Sequence, residues 1–340
     1  MAILPLVMSA LAWQALKVTQ QDVLPVVRPE EKTPPVRRVG LIAWVCLLIV
    51  WVVWGSTYLA IRVGVETMPP LLMAAARNLI AGIIMFPAAM GARRKAIRAG
   101  QVMRRWPSRA EWTGCAIVGV LLLVANGAVG IGEKTVPSGL AALLVATVPL
   151  WLLGIDAVLN HARLGLAPLA GLALGLVGVG FLSGLGGGSG HIAVAGVVII
   201  LIAAFAWALG TIMTRRAAIP SSPALASGME LLCGGVALLA LSAATGEFGS
   251  LHLAQISGRS WLALGYLTVV GSIIAFSAYG IAVRALPTPT VATYAYVNPV
   301  IAVLLGTLIL NERLTPAMLG GGVLIVGAVV LVVRRSPPAH

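Results

Sequence analysis

The chain has 340 residues, of which 59% are hydrophobic and 10% charged, against about 25% charged residues in a soluble domain. That balance excludes a water-soluble globular protein and describes one built into a bilayer. A net charge of +13 would point to nucleic acid in a soluble protein, but most Lys and Arg residues here fall in short loops, where membrane topology accounts for them, and no nucleic-acid partner is expected.

Residues 1–38 form an extension before the first span. Ile3 to Leu16 is apolar but too short to cross a membrane, and no convincing small-residue cleavage site follows it. It reads as an interfacial helix or a plain extension rather than a signal peptide. Val23 to Arg38 is rich in Pro and charge and reads as a disordered cytoplasmic lead-in. A bilayer core of about 30 Å needs ~20 apolar residues of helix. From Val39 onward, apolar length and flanking turn residues give ten spans, at 39–61, 70–90, 112–132, 137–159, 166–185, 192–213, 223–244, 261–283, 290–310 and 316–333. Two connections are long, Gly91 to Glu111 and Thr245 to Ser260, and residues 334–340 are a cytoplasmic tail. Cys46, Cys115 and Cys233 lie in apolar runs without metal-like spacing and read as small packing residues.

Among the 23 Lys and Arg residues, Arg77 lies inside a span, and only Arg62, Lys134, Arg259 and Arg313 fall on the side opposite the N-terminus. The positive-inside rule therefore places both termini in the cytoplasm.

A charge inside a span costs several kcal/mol unless it faces protein or water, so Arg77, within Pro70 to Met90, marks a candidate site. Its surroundings recur later in the chain. Trp54, Pro70, Arg77 and Gly82 are followed 153 residues on by Trp207, Pro223, Glu230 and Gly235. Pro137, Pro149 and Arg163-Leu164 are followed 150 residues on by Pro287, Pro299 and Arg313-Leu314. The halves are residues 39–185 and 192–333, with five spans each. An odd number of spans makes the second half enter from the opposite side, so the expected fold is an all-α integral membrane protein of two inverted five-helix repeats. Substrate sites in such architectures lie near the midplane between repeats. Arg77 and Glu230 are accordingly expected near each other or flanking one cavity.

With Trp54-Gly55-Ser56-Thr57 in span one, Pro69-Pro70, Arg77 and Ala81-Gly82 in span two, and Asn298-Pro299 followed by Glu312-Arg313-Leu314-Thr315, the chain from Val39 to Val333 resembles a ten-span EamA-type carrier of the drug/metabolite transporter superfamily. The resemblance implies a bacterial inner-membrane exporter or exchanger of small metabolites or drugs, with a cavity between its halves. It does not carry over a substrate. One departure is visible: Ala162 stands at the first-half counterpart of Glu312, so a role for that glutamate is not symmetric.

The candidate binding residues are Trp54 and Ser56 in span one, Arg77 and Asn78 in span two, Asn126 in span three, Trp207 in span six, Tyr279 in span eight, and Tyr294 and Asn298 in span nine. Tyr294 and Asn298, four apart, share a helix face. Pro299 cannot donate a backbone hydrogen bond, and a local opening there frees carbonyls for a ligand, as at Pro149 in the matching span. An aromatic pocket with a few amides and hydroxyls suits small amphipathic organic molecules. The competing roles are a purely structural bridge between Arg77 and Glu230 and an interfacial belt for Trp54. Glu230, with no Lys or Arg in its span, is the candidate for proton coupling. Asp156, near the end of span four, reads as structural. Gly171 and Gly175 form a G-x-x-x-G face for packing within the repeat or in a homodimer, and Gly184 to Gly190 a flexible connector.

Nothing resembles a Walker A loop, so ATP hydrolysis is not expected. His161, His191, His252 and His340 fall in loops or at the terminus, which leaves no constellation for a membrane-embedded enzyme and no cofactor or metal site. A passive channel would need a continuous polar stripe. The favoured reading is a secondary transporter that moves a small-molecule substrate by alternating access.

Overall fold

The computed structural model describes residues 36–101, 104–159, 170–171, 173–175, 177–178, 193–286, 288–291, 293–312 and 314–335. Expectations for residues 1–35, for most of the span at 166–185, for Gly184 to Gly190 and for the side chain of Asp156 lie outside them. The chain divides into two compact units, Met1–Val39 and Gly40–His340. Of the first unit, the described residues 36–39 are helical.

Among the described residues every regular element is helical. In chain order they are α1 (Val36–Gly64), α2 (Pro70–Arg98), α3 (Arg109–Gly132), α4 (Ser138–Val145), α5 (Val148–Leu159), α6 (Val194–Arg216), α7 (Pro223–Ala244), α8 (Gly258–Tyr266), a π-helical stretch (Leu267–Ala275), α9 (Phe276–Ala285), α10 (Thr288–Val291), α11 (Tyr294–Leu310) and α12 (Pro316–Arg335). Among the described residues seven stretches are long and apolar enough to cross a membrane, and Val297–Leu310 and Met318–Ala328 are shorter apolar helices. Ile83, Leu262 and Leu308 lie on the outside, the last 77% exposed. Large apolar side chains exposed on several helices suit lipid rather than water.

Helix α2 runs past the expected end at Met90 to Arg98. Ala, Arg and Lys are strong helix formers and carry the helix through Arg93, Arg94 and Lys95, until Gly100 turns the chain with φ of 90°. Part of the long connection expected from Gly91 is thus helix. The expected span 137–159 is broken between α4 and α5, at Ala146 and Thr147, where the Thr147 hydroxyl bonds the Leu144 carbonyl at 2.6 Å. Pro149, two residues on, has no N–H to continue the ladder.

The repeat mates α2 and α7 pack directly on one another. A side chain on Gly82 would meet Leu232, on Gly235 it would meet Leu79, and on Gly228 it would meet the backbone of Phe86 at 2.9 Å. Small residues let membrane helices approach this closely. The other flank of α7 lies on α3, with Gly119 against the Glu230 backbone and Gly234 against the Gly119 carbonyl.

Ser108 caps α3 with a reciprocal bond to Glu111, and Ser257 caps α8 by accepting from Ser260 N. From Ser257 to Pro287 the second half is one residue longer than the first half from Ser108 to Pro137. The π-helical stretch Leu267–Ala275 widens the helix within that segment, which is how an inserted residue is absorbed without breaking a helix.

Candidate functional site

Helices from both halves surround a cavity. Trp54, Thr57 and Tyr58 reach it from α1, Arg77 and Asn78 from α2, Asn126 from α3, Trp207 from α6, Gly271 and Ser272 from the π-helical stretch, Phe276 from α9, and Tyr294 and Asn298 from α11.

Arg77 is 4% exposed. It follows the buried small residues Ala74 and Ala75 on α2, and Ala81 lies one turn on, so neighbouring helices close around its stem. Its Nε has no hydrogen-bond partner. The Asn78 Oδ1 accepts from the Ser272 hydroxyl at 3.1 Å, leaving Nδ2 buried and unpaired. Asn126 Oδ1 is likewise buried without a partner. Two donors and one acceptor therefore remain unsatisfied in the walls of one cavity.

Trp54 sits at the centre of an aromatic cluster. Its ring meets Trp207 edge-on at 5.5 Å, Tyr279 at 4.8 Å and Tyr294 edge-on at 5.4 Å, and Tyr279 and Tyr294 stand 6.2 Å apart. Asn298 satisfies both ends of its amide when Nδ2 donates to the Trp51 and Tyr294 carbonyls, at 3.0 and 3.2 Å. With the Trp51 indole N–H bonded to the Thr293 hydroxyl at 3.2 Å, this ties α1 to the start of α11 beside Pro299. Ser56 does not line the cavity: its hydroxyl pairs with the Tyr266 hydroxyl at 2.5 Å and with the Val53 carbonyl at 2.8 Å, fastening α1 to α8.

A second cavity is lined by Thr211, Thr214, Arg215, Ser227, Glu230 and Tyr279, and Phe276 belongs to the walls of both. The repeat mates Arg77 and Glu230 thus line different cavities. The register that sets Gly82 against Leu232 and Gly228 against Phe86 holds the two side chains at separate levels along the α2–α7 contact, so the expectation of one shared cavity is not met.

Three carboxylates escaped the sequence reading of the site. Glu247 accepts from Leu71 N and Leu72 N at 3.2 and 2.8 Å and from the Ser242 hydroxyl at 3.0 Å. Glu312 accepts from Ser138 N and its hydroxyl, both at 2.9 Å, and from Gly139 N at 3.3 Å. In each case a second-half carboxylate caps the positive N-terminus of a first-half helix. Glu133, at the C-terminal end of α3, is 0% exposed with both oxygens unpaired. The Arg62 guanidinium donates to its backbone carbonyl. Burial pushes the Glu133 carboxyl well above the usual carboxylate range; the charge of Glu312 adds to this, while those of Arg62 and Arg77 act against it.

Among the described residues no group of three or more His, Cys, Asp or Glu residues is placed to hold a metal.

Residues 41–184 and 194–334 each match the model of the EamA-like transporter family. The chain is 40% identical over 289 residues to the uncharacterized inner membrane transporter YedA of Escherichia coli (strain K12), covering 84% of this chain and 89% of that protein. It is 28% identical over 294 residues to a protein of the same organism named "Probable amino-acid metabolite efflux pump", covering 85% and 92%. It is 28% identical over 302 residues to the "Probable terminal-alkyne amino-acid exporter" of Streptantibioticus cattleyicolor, covering 86% and 93%. One solved protein crystal structure shares the fold, with a TM-score of 0.57 at 23% identity, covering 87% of this chain and 96% of that one.

Proposed function

Because the chain belongs to the EamA-like transporter family, we propose that it exports or exchanges a small amino-acid-like metabolite across the bacterial inner membrane by alternating access, with the cavity around Arg77 as its binding site. In this reading ten spans form two inverted five-helix repeats with both termini in the cytoplasm, and the second cavity serves the opposite side of the membrane.

The observation that carries the reading is the set of unpaired atoms in one wall: Arg77 Nε and Asn78 Nδ2 as donors, Asn126 Oδ1 as acceptor. A buried polar atom left unpaired costs about 1–3 kcal/mol, so a ligand that meets all three gains over an empty cavity. A guanidinium and an amide N–H suit a carboxylate, and an amide oxygen suits an ammonium. Together they match the head of an α-amino acid, while Trp54, Trp207 and Tyr294 supply an apolar wall for its side chain. The amino-acid exporters among the relatives point to the same class. Glu230, in the second cavity, is the group for proton exchange on that side, and Glu230→Gln removes the pH dependence that such an exchange would give transport.

Thermal melting of the purified protein tests the binding site, since a ligand of the folded state raises its apparent stability. L-phenylalanine should stabilise the protein, phenethylamine and 3-phenylpropionate should do so less, and Arg77→Ala should lose the effect while remaining folded. No stabilisation by any member of a panel of neutral amino acids would sink the amino-acid reading.

A further inference from the structure

Glu133 stands apart from both cavities, and the binding site just described does not use it. Its carboxyl group is fully enclosed, and neither oxygen meets a donor. A strong donor beside it, the Arg62 guanidinium, donates to the Glu133 backbone carbonyl. The position also follows the last residue of α3, where the helix dipole opposes a negative charge. A carboxylate so placed is kept neutral unless a cation is near.

Charged and titratable groups face it from three directions. Arg62 and Tyr58 come from α1, Arg77 from α2, and Glu312 from the segment after α11. Lys134, next in the chain, is exposed, and α6, whose Gly196 and Ile200 abut Gly132, brings no titratable group there. Of these, Arg77 also lines the first cavity and has an unpaired Nε. Its positive charge is thus available both to a ligand and to Glu133.

We propose that Glu133 is a proton-binding site linked to the cavity through Arg77: it holds its proton while Arg77 faces an anionic group, and gives it up to become the counter-ion of Arg77 when the cavity is empty. The O–H bond breaks, and the proton leaves to water at the exposed loop residues Lys134 and Thr135. Proton binding and anion binding then favour each other, because linkage is reciprocal. A proton accompanies the ligand's anion in like-for-like exchange or down the ligand's own gradient.

The transport half of this inference rests on the cavity being the binding site, but Glu133 can be tested without any ligand. Melting temperatures of the full-length protein are measured against pH for wild type, Glu133→Gln, Arg77→Gln and the double variant. A carboxyl whose proton is held more tightly folded than unfolded makes the protein lose stability as pH rises from the unfolded to the folded pKa. The Glu133→Gln protein should therefore match wild type at acid pH, and the gap in its favour should widen as pH rises. In the Arg77→Gln background the widening should continue to higher pH, because the cation that favours ionised Glu133 is gone. A gap that stays constant with pH, or one indifferent to Arg77, overturns the proposal. Should Glu133→Gln not fold, infrared spectra of wild type, Arg77→Gln and Glu133→Leu recorded against pH decide it: a protonated carboxyl band missing from Glu133→Leu that persists to higher pH in Arg77→Gln than in wild type supports the proposal, and no such band, or one indifferent to Arg77, refutes it. If no amino acid binds while the melting curves behave as stated, the binding-site reading fails and the proton site stands.

Discussion

The indole rings of Trp54 and Trp207, which occupy equivalent places in the two halves, meet edge to face with 5.5 Å between centroids and planes 88° apart. The contact joins α1 to α6 where Tyr279 and Tyr294 also touch Trp54. Trp54 is therefore the hub of the cluster and Trp207 one of its spokes.

That inequality predicts unequal variants. Edge-to-face and tilted ring pairs add about 0.5–1.5 kcal/mol each beyond buried area, and Trp54 makes two more of them than Trp207. Trp54→Ala should cost about 1–3 kcal/mol more than Trp207→Ala, read as melting temperature in one detergent. Equal losses would show that the cluster does not hold the helices together.

The glycines where α7 packs on α2 and on α3 make a second test. A methyl group on Gly228 meets the Phe86 backbone, and one on Gly119 meets the Glu230 backbone, neither of which can swing aside. Overpacking of this kind costs about 1–3 kcal/mol. Gly91, in the same helix as Phe86, faces open space, so Gly91→Ala should be neutral or gain up to ~1 kcal/mol in helix propensity. Purified variants compared by thermal melting should fall in that order.

The carboxylates of Glu247 and Glu312 cap two different helices and share no partner. Loss of a helix cap costs about 0.5–2 kcal/mol, and independent sites add to within ~0.5 kcal/mol. Glu247→Ala and Glu312→Ala should each lower stability by that much, and the double variant by the sum. A double variant no worse than either single one would mean that the two caps act as one unit.

Much of the fold and part of the site are legible in the sequence, and the divide has physical causes. Apolar length locates the spans, and the duplicated Trp and Pro positions pair the helices that pack together, as α2 and α7 do. Trp54, Arg77, Asn78, Asn126, Trp207, Tyr294 and Asn298 were legible as polar or aromatic residues inside apolar runs, and they line one cavity. Ser56 satisfied the same criterion but bonds Tyr266, a long-range pairing that no local pattern encodes. Glu133 was hidden because a glutamate beside Lys134 at the end of an apolar run looks like an ordinary loop charge. In the fold it is buried, and Arg62 of α1, more than seventy positions earlier, donates to its carbonyl. The widened turn at Leu267–Ala275 was signalled only by a one-residue difference between the repeats, which gains meaning once the capping serines are seen to correspond.

Counterflow in proteoliposomes tests the central claim most directly. Vesicles loaded with unlabelled L-phenylalanine are diluted into a trace of labelled L-phenylalanine, and uptake is followed in time. A carrier with its site at Arg77 predicts a transient accumulation of label above equilibrium with the wild-type protein and none with folded Arg77→Ala. Equal accumulation by the two proteins would contradict the placement of the site.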